Sequence, residues 1–405
     1  MLITTGIRQV SGLFVLPIIS STGLSIASVS LALAIGQFMW GAMQPVFGAL
    51  ADSYGAFRVV TFGALLLAVG SVLTTFSHSE VALIATMGVL SAAGAAAGSF
   101  SILIGGTARR LEAHQRSTAA GTINAGGSLG QFVMAPLAQA VIAAWGWAAA
   151  MYALAVAALA TIPLALPLKN KEGVSAEAAE VAASPAAAVQ SAPAGAAERA
   201  PSLTLREQLR VAARDPSFLL LNIGFFTCGF HVAFLVTHFP GEIQNCGLMP
   251  SVAANSLAII GLFNVAGSVG AGMLGQRFRM KYLLALIYAA RAVMIAIYLV
   301  MPKTALNIYV FAAGMGMTWL ATVPPTSGIV GKLYGVRYLG TLFGLTLVSH
   351  QTGAFLGAWL GGVAMAQMHS YQWVWFADMA LALGAAVVNL PIKEEAPMQR
   401  RPVAA

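Results

Sequence analysis

Gly48 to Arg58 reads GALADSYGAFR. It separates two long apolar runs, and Asp52 is the first charged residue after Arg8. A stretch of similar build, GMLGQRFRMK (Gly272 to Lys281), starts 224 positions later between two other apolar runs. The chain around them is 59% hydrophobic, and only 8% of its 405 residues are Asp, Glu, Lys or Arg. A soluble domain carries about 25% charged residues, so this composition cannot build a soluble surface. Runs such as VVTFGALLLAVGSVLTTF and YLLALIYAARAVMIAIYLVM approach the roughly 20 residues that cross a hydrocarbon core of about 30 Å. They lack the short alternating segments of a membrane β-barrel. The expected class is an all-α polytopic membrane protein.

Twelve helical spans are expected, near 1–21, 28–50, 59–77, 81–107, 117–143, 146–168, 217–241, 251–275, 282–301, 306–331, 338–366 and 371–391. They divide the chain into a first six-helix bundle (1–168), a linker (169–216), a second bundle (217–391) and a tail (392–405). The linker is rich in Ala, Glu and Pro without apolar periodicity, the composition of a flexible connector. Its end, LTLREQLRVAARD, suits an amphipathic helix on a membrane surface.

Of the 21 Lys and Arg, Arg8 and Arg291 fall inside spans and Lys303 in a loop on one side; the other 18 fall on the opposite side. Basic loop residues are retained in the cytoplasm. Both termini and the linker are therefore expected to be cytoplasmic, in a bacterial inner membrane. The net charge of +8 thus reports topology and does not call for nucleic acid. Cys228 and Cys246 are too few for a disulfide framework and are read as structural. The first apolar run has no basic n-region or small-residue cleavage site, so no cleavable signal peptide is expected.

The two halves repeat. GIRQVSGLFVLP (Gly6–Pro17) aligns with GFHVAFLVTHFP (Gly229–Pro240) at an offset of 223, so Arg8 meets His231 and Pro17 meets Pro240. GTINAGGSLGQF from Gly121 aligns with GLTLVSHQTGAF from Gly344 at the same offset. The seventh span starts near Pro216, about seven positions before the equivalent of Met1, so the first span is expected either to start upstream of Met1 or to be shorter than its partner on the linker side.

With these features in view, GALADSYGAFR resembles the loop between the second and third helices of the major facilitator superfamily, G-x-L-A-D-[RK]-x-G-[RK]. Gly48, Leu50, Asp52 and Gly55 match; Arg58 is displaced, and Ser53 and Ala56 replace basic residues. GMLGQRFRMK is the weaker second copy, with Gln276 in place of the acid. The resemblance covers the whole chain and implies two pseudo-symmetric bundles flanking a mid-membrane cavity. It also implies a cytoplasmic gate of Gly48, Asp52, Gly55 and Arg58 with Arg109 or Arg110. There Gly48 would let two helices approach, and Asp52 would bond a helix N-terminus and a basic residue.

Ionisable residues deep in a membrane are the strongest functional signal, because a charge at the bilayer centre costs about 2.5 kcal/mol or more. Arg8, His231 and His350 each lie about 12–14 residues along their spans, roughly 18–21 Å in. Arg8 is always protonated, and no carboxylate is expected at its depth: Asp378 is placed near the outer end of the twelfth span. A planar guanidinium without a counter-ion suits a carboxylate, so a small organic anion is the expected substrate. Arg8 and His231, related by the repeat, are expected to face each other across the pathway. His231 is the candidate for proton coupling, because histidine is the side chain suited to exchange a proton at physiological pH. His350, Gln351, Gln9 and Asn264 complete the expected substrate contacts, and Asn124 and Gln131 are further polar candidates. Arg291 is read as structural, and Pro324 and Pro325 as a bend in the tenth span.

GIRQVSGLFVLPI and GFHVAFLVTHFPGEI resemble the monocarboxylate-porter-like branch, which includes oxalate–formate exchangers. Eukaryotic members carry an Asp and an Arg in the eighth helix; here that region reads GLFNVAGSVGAGM, so their proton relay does not carry over. The expectation is a monomeric secondary transporter working by alternating access, without cofactor or metal. The alternatives are drug efflux and a transporter-like receptor. Drug exporters of this fold usually carry a Gly-Pro pair in the fifth helix, absent from GTINAGGSLGQFVMAP. No nucleophile–base pair suggests an enzyme.

Overall fold

The computed structural model describes residues 1–99, 102–103, 113–169, 204–335 and 338–395; for Asp52, residues 113–122 and Asn124 it describes the backbone alone. Arg109, Arg110, most of the linker and the last residues of the tail lie outside the described residues.

No strand occurs among the described residues. The first span is α1 (Leu2–Gln9) and α2 (Val15–Thr22), separated by a 3-10 turn at Ser11–Phe14 and bent by 45°. The sequence had suggested one uninterrupted helix. The second span is α3 (Ile26–Tyr54), started by Ser25, whose hydroxyl accepts from Ser28 N–H at 3.1 Å. It ends at Gly55, where φ is +90°, and α4 (Ala56–Thr74) begins at once. A side chain would strain that backbone. This gives the second glycine of GALADSYGAFR a plain role: it turns the chain between two spans.

The fourth span runs through α5 (Glu80–Leu83), a π-helical stretch at Ile84–Ser91, and α6 (Ala92–Ala97). A 52-residue helix, α7 (Ala113–Leu164), folds back at Gly146 (φ +84°) and supplies two passes. After the linker, α8 (Leu205–Arg214) begins in a capping box: Glu207 N–H donates to the Thr204 hydroxyl, and Thr204 N–H donates to the Glu207 carboxylate. Those bonds hold the Glu207 carboxyl below its usual pKa. Asp215 caps α9 (Pro216–Asn245), with proline at the first helical position.

The second half continues with α10 (Pro250–Arg277), α11 (Met280–Val300), α12 (Ala305–Thr318), α13 (Val323–Tyr334), α14 (Leu339–Met368) and α15 (Gln372–Asn389). The tenth span is α12 plus α13, broken at residues 319–322 where Pro324 and Pro325 withdraw two donors. Among the described residues, eight helices are long and apolar enough to cross a membrane, and the bent pair α1–α2 makes a ninth. Counting α7 twice and adding α14 and α15 gives twelve passes among the described residues.

The repeat is visible in the packing. A Cβ on Gly130 of α7 would fall 2.0 Å from Leu2 O and 3.1 Å from Gly6 N. A Cβ on Gly353 of α14, 223 positions later, would fall 2.0 Å from Phe226 O and 3.0 Å from Phe230 N. The same backbone-on-backbone contact joins the first and fifth spans of one half and the seventh and eleventh of the other. Small residues permit it, and it substitutes for a hydrophobic drive that lipid cannot supply.

The halves meet along three matched lines: α3 on α14, α7 on α10, and the 3-10 turn on α9. A Cβ on Gly12 would fall 2.0 Å from Val236 O; on Gly261, 2.8 Å from Ser128 O; on Gly362, 2.2 Å from the Ser30 Cβ; on Gly41, 2.3 Å from the Gln351 Cγ. These contacts lie in the middle and on the side away from the linker. On the linker side a Cβ at Gly48 or Gly344 would meet nothing within 4 Å. Among the described residues nothing therefore approaches Gly48 closely, and the expected partners Arg109 and Arg110 lie outside them.

Candidate functional site

Arg8 stands in the last turn of α1, just before the backbone leaves α-helical geometry at Val10. Its guanidinium lies over the Trp40 ring, 4.2 Å from the centroid. Its Nη1 donates to Gln37 Oε1 at 2.5 Å. Gln37 and Trp40 stand three apart on α3, one helical face. Arg8 Nε is buried and has no partner. Among the described residues no carboxylate pairs with Arg8.

The guanidinium lines a cavity of about 70 Å³ with Ser11, Gln37, Ser71, Thr74 and Ser91, walled by Leu33, Leu67, Met87 and Leu154. Two irregular segments border it: the 3-10 turn of the first span and the π-helical stretch that carries Met87 and Ser91. In that wide turn the Ser91 hydroxyl donates to Thr86 O, five residues back, at 2.9 Å. Backbone of this kind is tolerated at membrane depth where it lines a cavity or is buried in protein, and π segments concentrate at functional sites.

Every residue lining this cavity belongs to the first half. The sequence had placed Arg8 in a vestibule between halves, opposite His231; instead His231 is enclosed in the second half. Its Nδ1 lies 2.6 Å from Oδ2 of Asp378, with the two residues 1% and 0% exposed. The expectation that no acid stands at the depth of His231 is corrected by this pair. The Trp319 ring packs edge-on against the His231 ring at 6.2 Å between centroids.

Of the six residues expected at the substrate, Arg8 alone lines this cavity. Gln9 is buried with Oε1 unpartnered. His350 is buried against Phe225, ring centroids 4.9 Å apart. Gln351 packs on Gly41 across the interface between halves, with its amide nitrogen unpartnered. Asn264 is fully engaged: its amide donates to Ser128 Oγ at 2.9 Å, and its oxygen accepts from Leu320 N (3.0 Å) and Ser268 Oγ (3.1 Å). It ties α10, α7 and the break in the tenth span together, so its polar atoms hold structure rather than face a ligand. Gln131 is buried in α7 with both amide atoms unpartnered. Arg58 is exposed; the side chain of Asp52, and Arg109 and Arg110 altogether, lie outside the described residues.

Arg291 is fully buried, donating from Nη2 to Trp319 O at 2.6 Å and to Thr318 O. It serves the carbonyls left free where α12 stops, the structural role read from sequence. Two groups escaped sequence reasoning. Gln37 and Trp40 look like ordinary packing residues until α1 is docked on their face. Glu242, near the end of α9, accepts from Trp375 Nε1 (2.6 Å) and Tyr298 hydroxyl (2.9 Å) inside an aromatic cluster with Phe239 and Phe311.

Twelve passes in two repeat-related bundles, meeting along matched helix pairs around polar buried residues, define a membrane transport protein. A Major Facilitator Superfamily profile matches residues 1–358, and the chain belongs to that family. It is a multi-pass transporter, not an enzyme. Monocarboxylate transporter 13 of Rattus norvegicus is 26% identical over 393 residues, covering 95% of this chain and 85% of that one. The oxalate:formate antiporter of Oxalobacter formigenes is 24% identical over 366 residues, covering 88% and 82%. The crystal structure of a D-xylose-proton symporter superposes with a TM-score of 0.69 at 14% identity, covering 98% of this chain and 97% of that one; it shares the fold.

Proposed function

We propose that the protein moves a small organic anion across a bacterial inner membrane by alternating access, with a proton as the coupling ion. One observation carries the reading: Arg8 presents a permanent cation to a cavity with only neutral partners, Gln37 and Trp40. A buried guanidinium with an unpartnered Nε is an uncompensated charge whose cost a bound carboxylate would offset. The size argues for a short acid. At about 10–15 Å³ per water, 70 Å³ has room for roughly five to seven water-sized groups. Two relatives are named for monocarboxylate and oxalate:formate transport, which supports the same class. Ser11, whose hydroxyl is buried without a partner, is free to donate to a further lone pair, whereas the hydroxyls of Ser71, Thr74 and Ser91 donate to Leu67 O, Gly70 O and Thr86 O.

The close glycine contacts between the halves lie at mid-depth and on the side away from the linker, and among the described residues none is made at Gly48 or Gly344 on the linker side. With the linker and termini cytoplasmic, this corresponds to an inward-facing state. The gate of Asp52, Gly55 and Arg58 with Arg109 and Arg110 would then assemble when the inner side shuts. The protein works as a monomer in this reading.

The test is a binding screen on purified protein. Formate, lactate, pyruvate and oxalate are compared with amphipathic cations by thermal shift. Stabilisation by a short carboxylate that is lost in Arg8→Gln supports the reading. Stabilisation by the cations alone, unaffected by Arg8→Gln, overturns it in favour of drug efflux.

A further inference from the structure

We propose that Asp378 and His231 together hold the coupling proton, and that Arg291 links its occupancy to the break in the tenth span. This rests on the proton-coupled reading above and names the site where the proton would reside.

The pair is poorly explained by stability. A buried ion pair can usually be replaced by apolar residues at no loss, and structural buried pairs have their remaining polar atoms satisfied. Here Oδ1 of Asp378 and Nε2 of His231 are both buried and both unpartnered. Each side chain has one partner, the other. The spare atoms can accept a proton or a passing water, and a shared proton changes the charge of the pair by one unit.

The surroundings decide what that unit does. The helices packed together with the pair carry further titratable or charged groups in their buried stretches: Cys228 and His238 on α9, His350 on α14, and Arg291 and Tyr288 on α11. The adjoining parts of α10 and the α12–α13 break contribute Asn264, Trp319 and Thr322, which do not titrate. The first span contributes Arg8, which is turned into the other half's cavity. Arg291 is therefore the fixed cation of this core and Asp378 its anion. One residue, Trp319, touches both sides: its ring packs on His231, and its carbonyl accepts from Arg291. Trp319 stands in the interruption between α12 and α13. A proton on His231–Asp378 takes the pair from a charge of −1 to neutral, so Arg291 loses the anion that offsets it. The guanidinium is then held by the carbonyls of Thr318 and Trp319 alone, release of the proton restores the pull of Asp378, and the angle of the break follows the occupancy.

The repeat supports a division of labour. Subtracting the offset of 223 carries Asp378 to Ala155 and Trp319 to Ala96, neighbours of Leu154 and Ala95 in the wall of the Arg8 cavity. The first half thus has small residues and open space where the second half has an acid and an indole. One half keeps room for a ligand; its counterpart is filled by a proton-binding pair.

The experiment is an infrared pH titration of the protein reconstituted in liposomes, with no substrate present. It follows the C=O stretch of protonated carboxyl groups. The expected result is a band lost on alkalinisation that persists in Glu242→Gln and vanishes in Asp378→Asn. Its midpoint should move by about one pH unit or more in His231→Gln. In Arg291→Gln it should move to higher pH, because removing a neighbouring cation favours the protonated form. If Asp378→Asn does not fold, the midpoints in the other two variants still decide. A band unaltered by Asp378→Asn, or the same midpoint in His231→Gln and Arg291→Gln as in the native protein, overturns the proposal. The titration needs no anion, so its failure is separate from failure of the carboxylate screen.

Discussion

Arg8 donates to Gln37 across 2.5 Å and lies over the ring of Trp40, one helical step along the same face. Both partners are neutral, and both hold the guanidinium plane at the cavity wall without cancelling its charge. That combination distinguishes Arg8 from Arg291, whose Nη2 is committed to two backbone carbonyls at a helix break. The same residue type therefore does two jobs in one membrane domain: one guanidinium completes the backbone, the other is held ready.

Gln37→Leu tests the positioning. It removes one acceptor and keeps the side-chain volume. A hydrogen bond to a charged group contributes about 1.5–3 kcal/mol, and a freed guanidinium is less well aimed. Carboxylate affinity should fall by roughly tenfold or more, measured by titration of the purified protein, while the melting temperature changes little. An unchanged affinity would remove Gln37 from the site.

Arg291→Gln should cost stability rather than affinity. It leaves the Thr318 and Trp319 carbonyls without their charged donor, and two such bonds contribute roughly 3–6 kcal/mol before any relaxation. Thermal melting in detergent should show a large drop. A variant that melts like the native protein would mean that water or the backbone already serves those carbonyls.

The glycine contacts predict opposite effects for one substitution. Gly353→Ala drives a methyl to 2.0 Å from Phe226 O, and overpacking of this sort costs about 1–3 kcal/mol. Gly344→Ala on the same helix meets nothing within 4 Å and should be neutral or stabilising by about 0.5–1 kcal/mol. The readout is the pair of melting temperatures; equal shifts would contradict the close approach of α9 and α14.

Asn264→Ala separates packing from binding. All its polar atoms are engaged with Ser128, Leu320 and Ser268. Leaving a buried backbone donor unpaired costs about 1–3 kcal/mol, so the protein should melt earlier with carboxylate affinity nearly unchanged. Loss of affinity at an unchanged melting temperature would return Asn264 to the substrate.

Much of the fold was legible because its signals are local. Apolar length gave the passes, the offset of 223 gave the repeat, and Pro324–Pro325 marked the place where the tenth span breaks; the fold-back of α7 at Gly146 was bracketed only by the gap between the fifth and sixth expected spans. The site was legible only in part. Arg8 stands out because a charge among apolar residues is conspicuous, but sequence does not say which way a helix is rotated, and α1 turns Arg8 toward α3. Depth misled for Asp378. Counting from a helix end assumes that all helices begin level, yet α9 has 30 residues and α15 has 18. An acid six residues into the short helix thus meets a histidine in the middle of the long one. The 3-10 and π segments bordering the cavity carry no proline at the irregular turn itself, and only tertiary packing discloses them.

The central claim is that Arg8 receives an anionic substrate, and uptake of a radiolabelled short carboxylate into proteoliposomes tests it most directly. Native protein, Arg8→Lys and Arg8→Gln are compared at matched reconstitution. The account predicts saturable uptake in the native protein and a loss of roughly tenfold or more in kcat/KM for Arg8→Lys, where a point charge replaces a planar fork. Arg8→Gln should be lower still. Native kinetics in both variants would contradict it.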